Sequence, residues 1–309
     1  MRFAISIPQL DTGGFGGPGL RTYLRRAEQL GFEGGWTLEQ TVGPGPLIAP
    51  MELLAYAAAC TERLRLGVAV LITSLHDPLQ LAAIATAVDR LSLGRLDLGV
   101  APGGGFRQFP AFGVDPATFV GYFTEGLQLM KAAWSDVPEV TFHGRFRDVE
   151  AARITPKPIQ RPHPPLWFGG HAPAALARAV RLGDAFIGAG SSTIADFAGV
   201  AAGVRGELDR QGKDPAEFTI AKRMYVMVDD DAERARRAVL AGLGMIYGPR
   251  ASNEDIAIWG TAAQVADAVG RAIEAGAQLV VLNPVGGTVA ADHEQMERLA
   301  AEVLPQLPS

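Results

Sequence analysis

Two short groups carry the chemistry legible in this chain: Glu39-Gln40, behind the apolar run Gly34–Leu38, and Gly169-Gly170, between the apolar Leu166–Phe168 and a helical pattern opening at Ala172. A carboxylate at the end of a buried strand holds a ligand ring or hydroxyl by hydrogen bond, or else pairs with a basic residue of its own loop. The neighbouring glutamine shuttles no proton. Paired glycines ahead of a helix leave amides free at its positive end and let a phosphate approach closely, although the same pair also makes a plain strand-to-helix turn. His171 follows directly and is placed to touch the same phosphate. Gly286-Gly287, behind the last apolar run, is a rival of the same kind.

Other candidates read as structural. The histidines, at 76, 143, 163, 171 and 293, show no pair at metal-ligand spacing. His76 stands just before Asp77-Pro78 and reads as a loop or rim residue. Asp229-Asp230-Asp231 precede a helix and read as its cap rather than a metal cluster. Gly13-Gly14-Phe15-Gly16-Gly17 is glycine-rich like a nucleotide loop, yet no Lys-Ser/Thr follows, so it is read as a rim over a pocket.

The elements that position these groups alternate. Leu64–Ile72 is apolar and branched enough for a strand buried on both faces, and Asp77-Pro78 places an N-cap before a proline at the first helical position. Leu81, Ile84, Ala85, Val88 and Leu91 keep helical spacing, Gly94 stops the helix, and Leu96–Val100 is the next strand. Further strands are expected at Phe3–Pro8, Gly34–Leu38, Leu166–Phe168, Ala185–Gly188, Phe218–Val228 and Leu279–Leu282, with helices between them. The fourth of these helices is expected from Pro116 to about Trp134, and a capping box at Thr261–Gln264 opens another. Between about 135 and 165 the periodicity fails: a short hairpin over Val140–Ile154 and a proline-rich connector read as an insertion before strand five. Eight strand–helix steps make an (α/β)8 barrel, one domain over 1–309, in which ligands meet the C-terminal strand ends. The residues just past each strand are therefore the candidates, among them Trp36, Glu39, Gln40, Pro102, Gly103, Phe106 and Arg107. General barrel geometry favours the loops after strands seven and eight for a phosphate, which keeps Gly286-Gly287 in play.

Composition bounds the partners. The net charge is −5 with no basic block, which argues against nucleic acid or an anionic membrane as partner and for a small molecule. Cys60 is the only cysteine, so no intrachain disulfide forms. The sequence enters a strand at once and no apolar run reaches the ~18–20 residues of a membrane span, so a cytoplasmic location is expected. Glycine, at 37 of 309 residues, roughly 12% against an average of ~7%, suits many tight loops around a ligand.

The segments Thr61-Glu-Arg-Leu-Arg-Leu-Gly-Val-Ala-Val-Leu71, Pro78, and Leu91-Ser-Leu-Gly-Arg-Leu-Asp-Leu-Gly-Val-Ala-Pro-Gly103 resemble, in order and separation, the motifs of the bacterial-luciferase-like flavin superfamily. Glu39-Gln40, Trp167–Gly170, Trp259-Gly-Thr261 and Leu282-Asn-Pro284 are similar pieces. The resemblance implies a luciferase-like (β/α)8 barrel using coenzyme F420 or FMN. It places the cofactor phosphate at the strand-five loop, on Gly169, Gly170, His171 and Ala172, and the ring against strand three at Ala69, Val70 and Leu71. There the Ala69–Val70 peptide is expected to be cis. Pro102, Gly103 and Arg107 would complete the cofactor site, and Trp36, Glu39, Phe106 and Arg107 would shape the substrate pocket. Sugar-phosphate dehydrogenases of the family carry Asp-His where this chain has Glu39-Gln40, a Glu at Gly104, and a Thr and a Lys at Ala189 and Ser192. A sugar phosphate is thus disfavoured. The resemblance leaves three functions: hydride transfer between F420 and a small organic substrate, FMN-dependent monooxygenation fed by a separate flavin reductase, and non-catalytic flavin binding. It also implies a homodimer through helices Met51–Cys60 and Pro78–Leu91.

Overall fold

A computed structural model of the protein describes residues 1–12, 16–103 and 109–308. Gly13, Gly14, Phe15, Gly104, Phe106 and Arg107, all singled out from the sequence, lie outside the described residues. Strands β1 (Arg2–Ser6), β2 (Gly34–Thr37), β3 (Arg65–Ile72) and β4 (Leu96–Ala101) alternate with helices α1 (Gly17–Gln29), α2 (Pro50–Cys60) and α3 (Pro78–Leu91). After α4 (Phe119–Trp134) come an antiparallel hairpin, β5 (Val140–His143) and β6 (Asp148–Ala152), then β7 (Leu166–Phe168), α5 (Pro173–Leu182), β8 (Ala185–Gly188) and α6 (Ile194–Gln211). The chain continues with β9 (Thr219–Val228), α7 (Ala232–Tyr247), α8 (Asn253–Ile256), β10 (Ala257–Gly260), α9 (Ala262–Glu274), β11 (Leu279–Pro284) and α10 (Val289–Arg298). The parallel order β9-β11-β1-β2-β3-β4-β7-β8 closes where β8 pairs with β9, giving the expected (β/α)8 barrel.

Local chemistry sets the element ends. The Asp77 side chain accepts from the amides of Leu79 and Gln80, Asp231 caps α7 by accepting from Arg234, and Thr261 and Gln264 form the capping box of α9. Helix α4 begins at Phe119 rather than Pro116, because Asp115 binds the amide of Ala117 and closes a separate turn first. Strand β10, which the sequence did not suggest, adds to the upper half of β9 outside the ring. The hairpin is docked on α4 by Glu125, which accepts from the amides of Arg145 and Phe146. Asp89 of α3 holds the connector through the amides of Ile159 and Gln160.

Inside the ring, small residues leave room for two tryptophans. Trp36 and Trp167 meet edge to face with centroids 5.1 Å apart, packed among Ala4, Ala185, Ala221 and Val281. Gly67 is required here, since a Cβ on it would lie 2.3 Å from the Trp36 ring. Trp36 thus fills the barrel interior instead of shaping the pocket, a correction to the sequence reading. Below it, Trp167 Nε1 donates to buried Asp97, whose charge is matched by a two-pronged contact from Arg65.

Candidate active site

Above the tryptophans the C-terminal strand ends open into a cavity of about 700 Å³. Its lining includes Glu39, Gln40, Ala69, Val70, Pro102, Gly103, Gly169, Gly170, His171 and Ala172, so the structure brings together most of the residues chosen from the sequence. The Ala69–Val70 peptide is cis. Leu71 is the exception: it is fully buried in the core between barrel and helices. The β3–β4 register shifts between Val68 and Leu71, and past that irregularity the alternation turns Val70 inward and Leu71 outward.

Glu39 is held rigidly. Gln9 clamps its loop, binding the backbone of Leu38 and Ile48. The carboxylate, 9% exposed as a residue, accepts from the Ile72 amide at 2.5 Å and the Thr41 hydroxyl at 3.0 Å, and meets His76 Nε2 at 2.6 Å. A basic loop partner was the plainer of the two sequence readings, and His76 fills that role. It also brings an imidazole to the site although Gln40 is not one. Burial opposes the charge on His76, but the hydrogen bond and field of Glu39 outweigh it and raise the imidazole pKa. Since the folded value exceeds the unfolded one, the pair's stabilisation is full below the unfolded value, ~6.5, and is lost as pH rises through the folded value. Glu39→Gln is expected to lower the His76 pKa, followed by NMR of the imidazole protons. An unmoved titration would remove Glu39 as the cause. Gln40 donates to the Ile246 carbonyl at 2.7 Å, and its Oε1 is buried without a partner.

The glycine pairs now separate. Gly169 and Gly170 stand at the cavity, ahead of α5, which no side chain caps. A Cβ on Gly169 would sit 3.5 Å from Val70 Cγ1, in ordinary contact with the strand-three wall. Gly286, by contrast, already gives its amide to Asp292 Oδ1 at 2.7 Å, and neither it nor Gly287 lines the cavity. Burial pushes the Asp292 carboxyl up to about 7.

The sequence reading missed several lining residues. Arg178 reaches the cavity from α5, sharing a helix face with the lining residues Ala174 and Ala175; that spacing was a usable signal. Burial, then Arg181, lowers its pKa from the ordinary guanidinium value, but Arg178 remains cationic. Arg223, Ile246 and Tyr247 line it as well. Lys222, 1% exposed, donates to Ala189 O, Ser192 O and Ser192 Oγ at 2.5, 2.7 and 2.9 Å and so fixes the β8–α6 loop. Burial and the adjacent Arg223 bring its pKa down to about 7.

A largely apolar cavity in the mouth of a (β/α)8 barrel, beside the start of a helix that no side chain caps, is where such a barrel takes a small ligand. The family profile described as luciferase-like monooxygenase matches residues 1–254, and the chain belongs to that family. An uncharacterized protein of Sinorhizobium fredii, y4vJ, is 32% identical over 213 residues, 67% of this chain and 60% of that protein. A phthiodiolone/phenolphthiodiolone dimycocerosates ketoreductase of Mycobacterium sp. (strain JLS) is 28% identical over 211 residues, 67% of this chain and 55% of its own length. The chain thus matches less than two thirds of the length of these curated relatives. Among solved structures, monooxygenase RslO1 from Streptomyces bottropensis superposes with a TM-score of 0.83 at 22% identity, covering 99% of both chains. An F420-dependent secondary alcohol dehydrogenase, in complex with an F420-acetone adduct, gives 0.79 at 19% identity over 100% of this chain and 98% of its own. The oxygenating constituent of 3,6-diketocamphane monooxygenase from Pseudomonas putida, in complex with FMN, gives 0.76 at 16% identity over 100% and 99%. At these identities the likeness is one of fold. No helix among the described residues is long and apolar enough to cross a membrane.

Proposed function

We propose that the protein transfers a hydride between coenzyme F420 and a small, largely apolar organic substrate. The carrying observation is the cavity wall: Ala69, Val70, Ile72, Ile187 and glycine backbone face inward, and the carboxylate among the described lining residues, Glu39, has its oxygens engaged by Ile72, Thr41 and His76. Such a wall binds, orients and excludes water, and leaves bond-making to a coenzyme. F420, when bound, supplies the hydride carrier. In this reading Ala69 and Val70 back the ring, the amides after Gly169 and the Arg178 guanidinium hold the phosphate, and the Glu39–His76 pair keeps a proton at the cavity edge for alcohol–ketone interconversion. The volume of about 700 Å³ is of the size that takes a tricyclic ring and leaves space for a small substrate. The ketoreductase relative and the likeness to an F420-dependent alcohol dehydrogenase support F420 and a carbonyl or alcohol substrate.

A second reading is FMN-dependent monooxygenation with a separate flavin reductase, favoured by the family's description and by the likeness to monooxygenase RslO1. Calorimetric titration with oxidised and reduced F420 and FMN, followed by turnover assays on alcohols and ketones, decides. F420 binding with hydride transfer upholds the first reading. Tight binding of reduced FMN with oxygen consumption replaces it with the second, and binding with no turnover leaves a flavin-binding protein. We also propose that two copies pair through α2 and α3, since Ala83, Ile84, Ala87 and Leu91 form an exposed apolar stripe on α3. Light scattering on the same sample that gives the single chain's 32.6 kDa would overturn the pairing.

A further inference from the structure

We infer that Arg223 is the seat for one negative charge that a ligand brings into the barrel: a planar, delocalised oxyanion rather than a neutral group. Arg223 lies in the middle of β9 and is 6% exposed. Its Nη1 donates to the Ala69 carbonyl at 2.7 Å and its Nη2 to the Tyr225 hydroxyl, which meets the Tyr247 hydroxyl at 2.6 Å. These partners are a carbonyl and phenols, and no carboxylate is among them. The residue before it, Lys222, is basic as well. A guanidinium does not shed its proton at any pH the protein meets, and among the described residues no carboxylate is paired with this one, so its counter-charge is left to a ligand.

The unused part of the guanidinium shows where that charge would come from. Nε is buried and has no hydrogen-bond partner. Gly190 packs closely beside it: an added Cβ there would lie 3.2 Å from Nε and 2.7 Å from the Tyr225 ring, so only a residue without a side chain leaves Nε uncovered on that flank. Arg223 and Gly190 stand at the junction of the 700 Å³ cavity and a side pocket of about 200 Å³, lining both. A free N–H beside a planar cation favours an acceptor with delocalised charge, which meets the fork in its own plane. Two sources have this chemistry: a carboxylate on the substrate, and the ionised pyrimidine edge of a reduced flavin-type ring. The inference holds whichever coenzyme the cavity takes, and its test needs no turnover.

The experiment compares benzoate with its neutral counterpart benzyl alcohol, and reduced with oxidised F420 and FMN, as calorimetric titrants of the parent protein and of Arg223→Gln. Glutamine keeps much of the side chain's length and its hydrogen-bonding capacity while removing the charge. The expected result is that the parent prefers the anionic member of at least one pair by tenfold or more, and that Arg223→Gln abolishes that preference while binding benzyl alcohol within twofold of the parent. A loss confined to the reduced coenzyme assigns the charge to the ring, and a loss for benzoate assigns it to the substrate; either upholds the seat. Unchanged binding of every titrant by a folded Arg223→Gln protein would overturn it. Should that variant not fold, the parent alone decides: benzoate bound no better than benzyl alcohol, together with reduced coenzymes bound no better than oxidised, overturns the inference.

Discussion

Gly169→Val is expected to bind its coenzyme at least tenfold more weakly than the parent, about 1.4 kcal/mol, while unfolding at the same temperature. A Cβ at this position meets Val70 Cγ1 at 3.5 Å and the Ile187 carbonyl at 3.7 Å, both ordinary contacts, so the first carbon of the side chain fits the empty protein. The added atoms occupy space between the strand-three wall and the start of α5, where ring and phosphate are proposed to approach. Gly170 is the wrong position for this experiment although it stands next to the same amides. Its φ of 149° is one L side chains rarely adopt, and a Cβ there falls 3.0 Å from that of Ala175, so substitution would confound binding with folding. Calorimetry on folded Gly169→Val with F420 and FMN checks the expectation. Parent-like affinity for both would move the phosphate away from α5.

Gly99→Ala is expected to be the more damaging change for the fold, at a cost of at least about 3 kcal/mol. The added methyl would lie 1.8 Å from the Val68 carbonyl oxygen and 3.1 Å from Val70 Cγ1. The first of these is backbone in the centre of a closed ring, so relief requires moving β3 away from β4 where their register already shifts. In a chain of this size such a loss lowers the melting temperature by roughly 5 °C. Thermal and denaturant unfolding of the purified variant measure it. A change below about 1 kcal/mol would mean that β3 is softer at this point than its closed pairing implies.

The parts of the fold written in local chemistry were legible. Asp77-Pro78, Thr261–Gln264 and Asp231 mark helix starts by their own side chains, and the apolar runs between them are the barrel strands. Strand β10 was not legible, because its four residues pair with β9 alone and carry no buried alternation. Leu71 was misplaced for a related reason: alternation fixes the facing of a strand only while the register is regular, and it shifts at this point of β3. Arg223 carries no such mark, since residues just past the strand ends face the mouth by position, whereas this long side chain reaches the cavity from mid-strand. Its significance lies in the carboxylate partner that it lacks among the described residues, and a missing contact has no signature in the order of residues. Glu39 and the Gly169-Gly170 pair reach the cavity because they stand where barrel strands deliver side chains and amides to the mouth.

The tryptophan pair beneath the cavity gives the molecule an optical property of its own. Trp36 and Trp167 are shielded from water, and Ala69 and Val70, which pack against them, also line the cavity above. A ring seated on Ala69 and Val70 would absorb in the near ultraviolet, where buried indoles emit, from within one side-chain layer of both. Occupancy of the cavity is therefore expected to quench the protein's emission directly, without any label. Trp134, buried on the far side of the strands among the α3 and α4 side chains, provides an internal reference that the same ligand should affect less.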